Sequence, residues 1–370
     1  MPSLQSLKRP FIVFGKPNIG EDEIEAVTDV LRSGWIGTGK VSHEFEDAFT
    51  YHMGSGFSIA VSSCTIGLTI SLKALGVGPG DEVITSPLTF AATVNAILAC
   101  GAKPVFVDVD ETGCLNPELV FKAKTSRTEV VIPIHYTGSP VNMKPLKELC
   151  DELGFSILED AAHSFGGTYL GQKQGSLGDL GVFSFYATKN ITAGEGGMIY
   201  TKNKNLAEIC RTLSQNGQSS EAWDRYSSSP IKTYEVKEPG YKGNLPDVLA
   251  AIGLSQLRRW PELKENRDRV WGIYEKAFGR KELGHSKHLF TILVKNRDEV
   301  RRELYENNIG TGIHYTPLHL EPAYSFLGYK RGSFPLAEKI GSQTLSLPVS
   351  NSMSEEDAHY VVKNVRNIVN

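Results

Sequence analysis

The stretch Ser156-Ile157-Leu158-Glu159-Asp160-Ala161-Ala162-His163 is an apolar run that ends in a carboxylate followed by two small residues. A short apolar run of this kind is typical of a buried strand in a parallel sheet. Similar runs lie on both sides of it and alternate with helical patterns. The runs span residues 57–61, 83–85, 104–109, 130–135, 156–159, 182–186 and 198–201. This alternation predicts an α/β fold with a mostly parallel seven-stranded sheet between helices.

The pattern changes after about residue 205. Polar sequence follows, and its segment 227–230 (Ser-Ser-Ser-Pro) is typical of a loop or lid. A long helical pattern then covers 245–273, followed by a strand at 289–294 and a helix at 298–306. We therefore predict a large domain over residues 1–245, which includes an N-terminal helix, and a smaller C-terminal α+β domain over 246–370.

Composition excludes several classes of protein. The 370 residues are 40% hydrophobic and 22% charged, with a formal net charge of −3, which is typical of a globular protein of two domains. Without a run rich in lysine and arginine, neither nucleic acid nor an anionic membrane is an expected partner. The five cysteines are scattered and show no metal-like spacing, which indicates free thiols and no metal site. Because the sequence has no signal-like start and no long apolar run, we expect a cytoplasmic protein.

Three strand ends carry candidate functional residues, since open α/β sheets bind ligands at the carboxyl ends of their strands. The first is the start of the helix after run 57–61, at Ser63, Cys64 and Thr65. Backbone N–H groups at a helix start favour a phosphate. Taken alone, a simple N-cap by Ser63 or Thr65 is the commoner explanation.

The second candidate is Asp160, which ends the strand quoted above. A carboxylate there could hold the protonated ring nitrogen of a pyridine cofactor, or it could cap the next helix. His163 could form a hydrogen bond with the same cofactor or merely line the strand end.

The third candidate is Lys189, which follows the aromatic run 182–186 and precedes the glycine-rich segment 194–198. Most lysines are solvated surface groups. A lysine in a partly desolvated site, however, has a lowered pKa and can form a Schiff base with an aldehyde.

Together, the three strand ends supply what pyridoxal phosphate (PLP) needs: a phosphate site, a partner for the ring nitrogen and an amine for the aldehyde. Phe90 is a candidate ring to stack on the cofactor, although an ordinary core aromatic is an equally good explanation of that residue alone.

The sequence resembles the DegT/DnrJ/StrS family of sugar-nucleotide aminotransferases, which are fold-type-I PLP enzymes. The resemblance covers nearly the whole chain. It is carried by residues 33–39 (Ser-Gly-Trp-Ile-Gly-Thr-Gly), 89–90, 107–110, 159–163, 183–198, 240–247, 250–253 and 314–319.

The resemblance implies a homodimer with active sites at the interface, and it implies roles for individual residues. Lys189 would hold the cofactor as a Schiff base and catalyse proton transfer, Asp160 would bind the ring nitrogen, and Phe90 would stack on the ring. Cofactor contacts are also implied for Ser63, Cys64, Thr65, His163 and Ser184, and for Lys242 or Asn244 of the other subunit. The residues expected near the substrate are Trp35, Thr38, Glu195, His314 and Tyr315.

Some positions depart from the family pattern. Cys64 stands where a glycine is usual in the phosphate loop, Lys242 stands where many relatives carry asparagine, and Asn244 stands where many carry arginine. The segment 188–198 resembles that of members acting on 4-keto sugars.

The expected function is therefore transfer of the amino group of L-glutamate to a nucleotide-linked keto sugar, with a lean to a 4-keto-6-deoxy sugar. The product would be an aminosugar nucleotide for a surface polysaccharide, a glycan or a natural product. A cyclitol or another ring ketone is an alternative acceptor. Dehydratases of this fold carry histidine in place of the lysine, so Lys189 argues against that activity. Retention of Lys189, Asp160 and Ser184 argues against a non-catalytic regulatory protein.

Overall fold

The computed structural model describes residues 9–219, 234–279 and 282–369. The segment 227–230, predicted to form a loop or lid, lies outside the described residues.

Each of the seven predicted runs forms a strand of one sheet. The strands are β1 (Phe57–Val61), β2 (Glu82–Thr85), β3 (Lys103–Phe106), β4 (Thr128–Val131), β5 (Ser156–Asp160), β8 (Leu180–Ser184) and β9 (Gly197–Thr201), while β6 (Thr168–Tyr169) and β7 (Gln172–Lys173) form a separate hairpin. The order in the sheet is β1-β9-β8-β5-β4-β2-β3. Only β9 is antiparallel to its neighbours, which confirms the predicted mostly parallel sheet.

Helices cover both faces of this sheet. The α-helices within residues 9–219 are α1 (Glu21–Ser33), α2 (Lys40–Met53), α3 (Cys64–Ala74), α4 (Ala91–Ala99), α5 (Pro117–Ala123), α6 (Met143–Leu153) and α7 (Lys204–Ser214). Helix α3 is apolar on most of its surface, and its Leu68 packs in one core cluster with Ile59 and Ile199 of the sheet. Phe45 of α2 packs in another with Phe183.

The C-terminal part of the chain adds further helices and two strands. Its elements are α8 (Asp247–Arg258), α9 (Trp260–Phe278), β10 (Phe290–Leu293), α10 (Arg297–Glu306), α11 (Pro335–Gln343), β11 (Thr344–Leu347) and α12 (Glu355–Val369). Strands β10 and β11 pair antiparallel. Helices α9 and α12 pack on each other, whereas α8 packs on α1 and α2. The boundary at residue 245 therefore stays a prediction. In the described part of the chain, no helix has the length and apolar character needed to cross a membrane.

The long helical pattern 245–273 is two helices. Pro261 lies in the first turn of α9, where its missing N–H costs nothing. Inside one continuous helix it would remove a hydrogen bond and clash with the preceding turn. The chain therefore ends α8 at Arg258 and starts again.

A buried carboxylate fixes the start of α2. The N-cap residue of α2 is Gly39, which has no side chain to accept the first N–H groups. Asp247 accepts them instead: Oδ1 from Gly39 N (2.8 Å) and Ser42 N (3.0 Å), and Oδ2 from Val41 N (3.1 Å). The hydroxyl of Ser42 also donates to Oδ1 at 2.6 Å. The first residue of α8 thus holds the first turn of α2.

We expect Asp247→Ala to lower the free energy of unfolding by about 3 kcal/mol, because it leaves several buried N–H groups without an acceptor. Asp247→Asn keeps one oxygen and is expected to lose about half as much. Urea denaturation at one fixed protein concentration would measure both. An alanine variant as stable as the wild type would contradict this role of the carboxylate.

Candidate active site

The carboxyl ends of β1, β5 and β8 meet at one cavity of about 480 Å³. A larger cavity, of about 840 Å³, opens beside Phe278 and Phe290, but none of the predicted site residues lines it. The smaller cavity is therefore the candidate active site. Its walls are Ser63, Cys64, Thr65, Phe90, Ala92, Asp160, Ala162, His163, Ser184, Tyr186, Thr188, Lys189, Glu195, Gly196, His288, Leu289, His314 and Tyr315.

Lys189 lies in the turn after β8, and its backbone N–H donates to the carbonyl of Tyr186 at 2.9 Å. The glycine-rich segment returns along this turn, because the N–H of Phe185 donates to the carbonyl of Gly196 at 2.9 Å. Burial lowers the pKa of the Lys189 amine to about 8, against the opposing influence of Cys64 and Asp160. Far more of this amine is therefore neutral near pH 7 than of an ordinary lysine.

Asp160 ends β5 with only 6% of its surface exposed. Its Oδ2 accepts from the hydroxyl of Thr93 at 2.7 Å and its Oδ1 from the backbone N–H of Ala162 at 3.1 Å. Burial raises the pKa of this carboxyl, against the effect of these two donors. No ion pair from the described residues reaches it, so a protonated ring nitrogen would supply the missing partner.

The start of α3 combines both explanations given for its sequence. The Ser63 hydroxyl accepts from the N–H of Ile66 at 3.2 Å, so Ser63 is the N-cap. The thiol of Cys64 donates to the carbonyl of Val182 at 3.7 Å, and burial raises its pKa well above the usual value. A Cβ on Gly197 would lie 2.8 Å from Cys64 N, so only glycine lets β9 pass this close. The backbone of this helix start is left to bind a phosphate.

The opposite wall comes from the C-terminal part. The hydroxyl of Tyr315 lies 3.1 Å from Nε2 of His163. The other nitrogen of His163 is buried without a hydrogen-bond partner among the described residues, as a ligand-facing polar atom would be. Phe90 is 61% exposed with its ring 6.0 Å from that of Tyr315, so the interpretation of Phe90 as a core aromatic is wrong.

Four of the predicted residues do not line this cavity. Trp35 donates through Nε1 to the carbonyl of Thr38 at 3.0 Å, and Lys242 donates to Oδ1 of Asn244 at 2.7 Å. The amide of Asn244 donates to the Thr38 hydroxyl. These residues form one cluster beside β1, where Ser62 N donates to the carbonyl of Gly243 at 2.7 Å. The contact of Lys242 or Asn244 with the cofactor phosphate of a second subunit stays a prediction, as does the approach of Trp35 and Thr38 to the substrate.

Two polar residues of the site were not predicted from the sequence. Thr93 lies in the first turn of α4, after the N-cap residue Phe90, but nothing in the sequence indicated its contact with Asp160. His288 lies just before the predicted strand at 289–294, where no feature of the sequence singles it out, yet it lines the cavity.

The chemical groups that line the cavity fit PLP. The cavity holds an amine of lowered pKa, a buried carboxylate that forms no ion pair with the described residues, and a helix start that a single added Cβ on Gly197 would obstruct. These match the aldehyde, the ring nitrogen and the phosphate of the cofactor, respectively.

Comparisons with known proteins agree with this assignment. The family model described as the DegT/DnrJ/EryC1/StrS aminotransferase family matches residues 17–366. The spore coat polysaccharide biosynthesis protein SpsC of Bacillus subtilis is 42% identical, with 97% of each chain covered. Spr1654 of Streptococcus pneumoniae, assigned as a sugar aminotransferase, is 30% identical over 97% of this chain and 99% of its own, with a TM-score of 0.91 in its PMP form.

Spr1654 has also been solved in its PLP form, with a TM-score of 0.90. A structure of DesI in the presence of its TDP-sugar product is 28% identical, covers 98% of this chain and 94% of its own, and has a TM-score of 0.86. These likenesses confirm the predicted fold class, cofactor and enzyme class. The chain belongs to the DegT/DnrJ/EryC1/StrS aminotransferase family and is a PLP-dependent enzyme.

Proposed function

We propose that the enzyme transfers the amino group of L-glutamate to a nucleotide-linked keto sugar, with a lean to a 4-keto-6-deoxy sugar. The observation that carries this proposal is the meeting of Lys189 and Asp160 in one cavity of an aminotransferase fold. The names of SpsC and DesI, which refer to polysaccharide biosynthesis and to a TDP-sugar product, support a nucleotide-linked sugar. The product would be an aminosugar nucleotide for a surface polysaccharide, a glycan or a natural product.

Lys189 has two tasks in this proposal. When bound, PLP supplies the electrophilic aldehyde and the electron-withdrawing ring that make the hydrogen on the α-carbon of the donor acidic. The amine of Lys189, with its pKa lowered to about 8, attaches the cofactor and later carries a proton at Nζ. Asp160 holds the ring nitrogen at the end of β5.

The substrate side of the cavity has Glu195, His314 and Tyr315. Trp35 and Thr38 would approach the sugar nucleotide, and Lys242 or Asn244 of the neighbouring subunit of a homodimer would lie near the phosphate. Exposed apolar side chains support such an assembly: Ile24 and Leu31 are 51% and 57% exposed. They lie seven residues apart on one face of α1.

A screen of acceptors with glutamate as donor tests the substrate class. We expect 2-oxoglutarate to form with nucleotide-linked 4-keto-6-deoxy sugars, with kcat/KM at least about tenfold above that for a 3-keto sugar or a cyclitol ketone. The same sugar without its nucleotide is the matched control and should react poorly. Preferred turnover of the cyclitol ketone would reject the proposed acceptor, and a faster reaction with another amino acid would reject the donor.

Borohydride reduction of the enzyme with bound PLP is expected to fix the cofactor on Lys189. Lys189→Ala should lose the visible absorption of the bound cofactor and lower kcat by about a thousandfold or more. Lys147→Ala, which removes an exposed lysine of α6, is the control and should behave as the wild type. Peptide mapping identifies the labelled residue, and a label on any other lysine would refute the assignment.

Mixed dimers test the contribution of the segment 241–244. A dimer of one Lys189→Ala chain and one chain with Lys242→Ala and Asn244→Ala has one intact site, if each site takes its lysine and its segment from different chains. Co-expression with two tags isolates this dimer. We expect about a quarter or more of the wild-type activity, because one of two equivalent sites is complete. Two folded, inactive homodimers whose mixed dimer is also inactive would place the segment's function in its own subunit.

A further inference from the structure

The amide of Asn190, the residue after Lys189, has a defined orientation. Its Nδ2 donates to two carbonyls, those of Phe165 at 2.9 Å and Ser286 at 2.8 Å. Both amide hydrogens are therefore used, and the opposite end of the group must be the oxygen. This Oδ1 lies 3.1 Å from Nδ1 of His288.

The orientation of Asn190 fixes the tautomer of His288. Since Oδ1 of an amide can only accept, Nδ1 of His288 must carry the hydrogen. Burial lowers the pKa of His288 well below its usual value, so the ring is neutral and Nε2 is an acceptor. Nε2 has no hydrogen-bond partner among the described residues, and the side chain lines the active-site cavity.

Hydrogen bonds from Arg267 also fix the backbone at His288. Arg267 donates through one terminal nitrogen to the carbonyls of Lys287 (2.9 Å) and His288 (3.2 Å). Its Nε donates to Oδ1 of Asn351 at 2.9 Å, and the amide of Asn351 donates to the carbonyl of Asn190 at 2.8 Å. The network ties His288 and the backbone next to Lys189 into one unit across the two parts of the chain.

Among the charged groups near the cavity, Lys189 has the strongest effect on the pKa values of the histidines that line it. Burial is the largest cause of the lowered pKa of His288, and the ammonium of Lys189 is the second largest. The same order of causes holds for His163 and His314. The other ionisable groups that act on Lys189 are Cys64 and Asp160. His163 and His314 bind hydroxyls of Tyr315 and Ser346, which can donate or accept and therefore fix no tautomer. Of the three rings, only that of His288 has its acceptor fixed by its partner.

We propose that His288 is a positioning residue for Lys189: its Nε2 accepts a hydrogen bond from the Lys189 amine whenever that amine carries the extra proton. This inference rests on the proposed role of Lys189. In that role Lys189 would hold the transferred proton at Nζ as an ammonium, while bound PLP would supply the electron-withdrawing ring. His288 would neither gain nor lose a proton, and it would orient the ammonium.

Two variants separate the acceptor from the contact with Asn190. In His288→Gln the longer amide brings an oxygen near the former Nε2, whereas in His288→Asn the shorter amide keeps a donor near the former Nδ1 and leaves no acceptor at the former position of Nε2. The acid dissociation constant of Lys189 is measured in the protein without cofactor, by trace labelling with acetic anhydride across pH and mass spectrometry of its peptide.

We expect the acid dissociation constant of Lys189 to rise about tenfold in His288→Asn, because the ammonium loses a hydrogen bond, and to stay within about threefold of the wild type in His288→Gln. An unchanged constant in a folded His288→Asn variant would overturn the proposal. If that variant does not fold, the ¹⁵N shifts of His288 in the wild type decide, because a hydrogen on Nε2 is incompatible with the proposal.

The half-reactions supply the second readout. Lys189 acts in both, so His288→Asn should slow the reaction with glutamate and the reaction with the keto sugar to a similar extent. Slowing of the sugar half-reaction alone would make His288 a substrate contact and refute the positioning role. Borohydride mapping of Lys189 is independent of His288, so a failure of the proposed lysine is recognised separately.

Discussion

Lys189 and Asp160 line the same cavity, and burial shifts the pKa of each so that its neutral form is favoured. Two isolated charges in this place would be costly. The surrounding groups reduce that cost locally, since Thr93 and the N–H of Ala162 bind the carboxylate. A cofactor with a cationic ring nitrogen and an aldehyde suits both groups: it pairs with the acid and reacts with the neutral amine. The rest of the fold brings these two strand ends together.

The sequence predicted the strands well because each is a short apolar run that the parallel sheet buries on both faces. The predicted ends of the strands were less accurate where a polar side-chain contact follows the strand. The run 130–135 was expected to be strand throughout, but β4 ends at Val131, and His135 lies 2.8 Å from Oε2 of Glu159. Local patterns contain no information about such a distant partner. The division of one helical pattern into α8 and α9, by contrast, has a local cause in Pro261.

The site residues divide along the same line. Lys189, Asp160 and the start of α3 were predictable because each follows a recognisable strand, and parallel strand ends share one edge. Thr93 and His288 were not, because their roles depend on partners 67 and 98 residues away. The tautomer of His288 depends further on how a neighbouring amide is oriented. This tautomer can be assigned only from the three-dimensional arrangement of all the partners.

Asp247 connects two segments of the chain that lie far apart in the sequence. The loop from Trp35 to Gly39 leads into α2, and the segment from Lys242 to Asn244 leads into α8. One carboxylate and the contact between Thr38 and Asn244 connect them. A transplant of the loop alone into a relative would separate it from the residues that hold it. The loop and the segment that holds it form one structural unit. In a chimera of two relatives, both pieces should therefore come from the same parent.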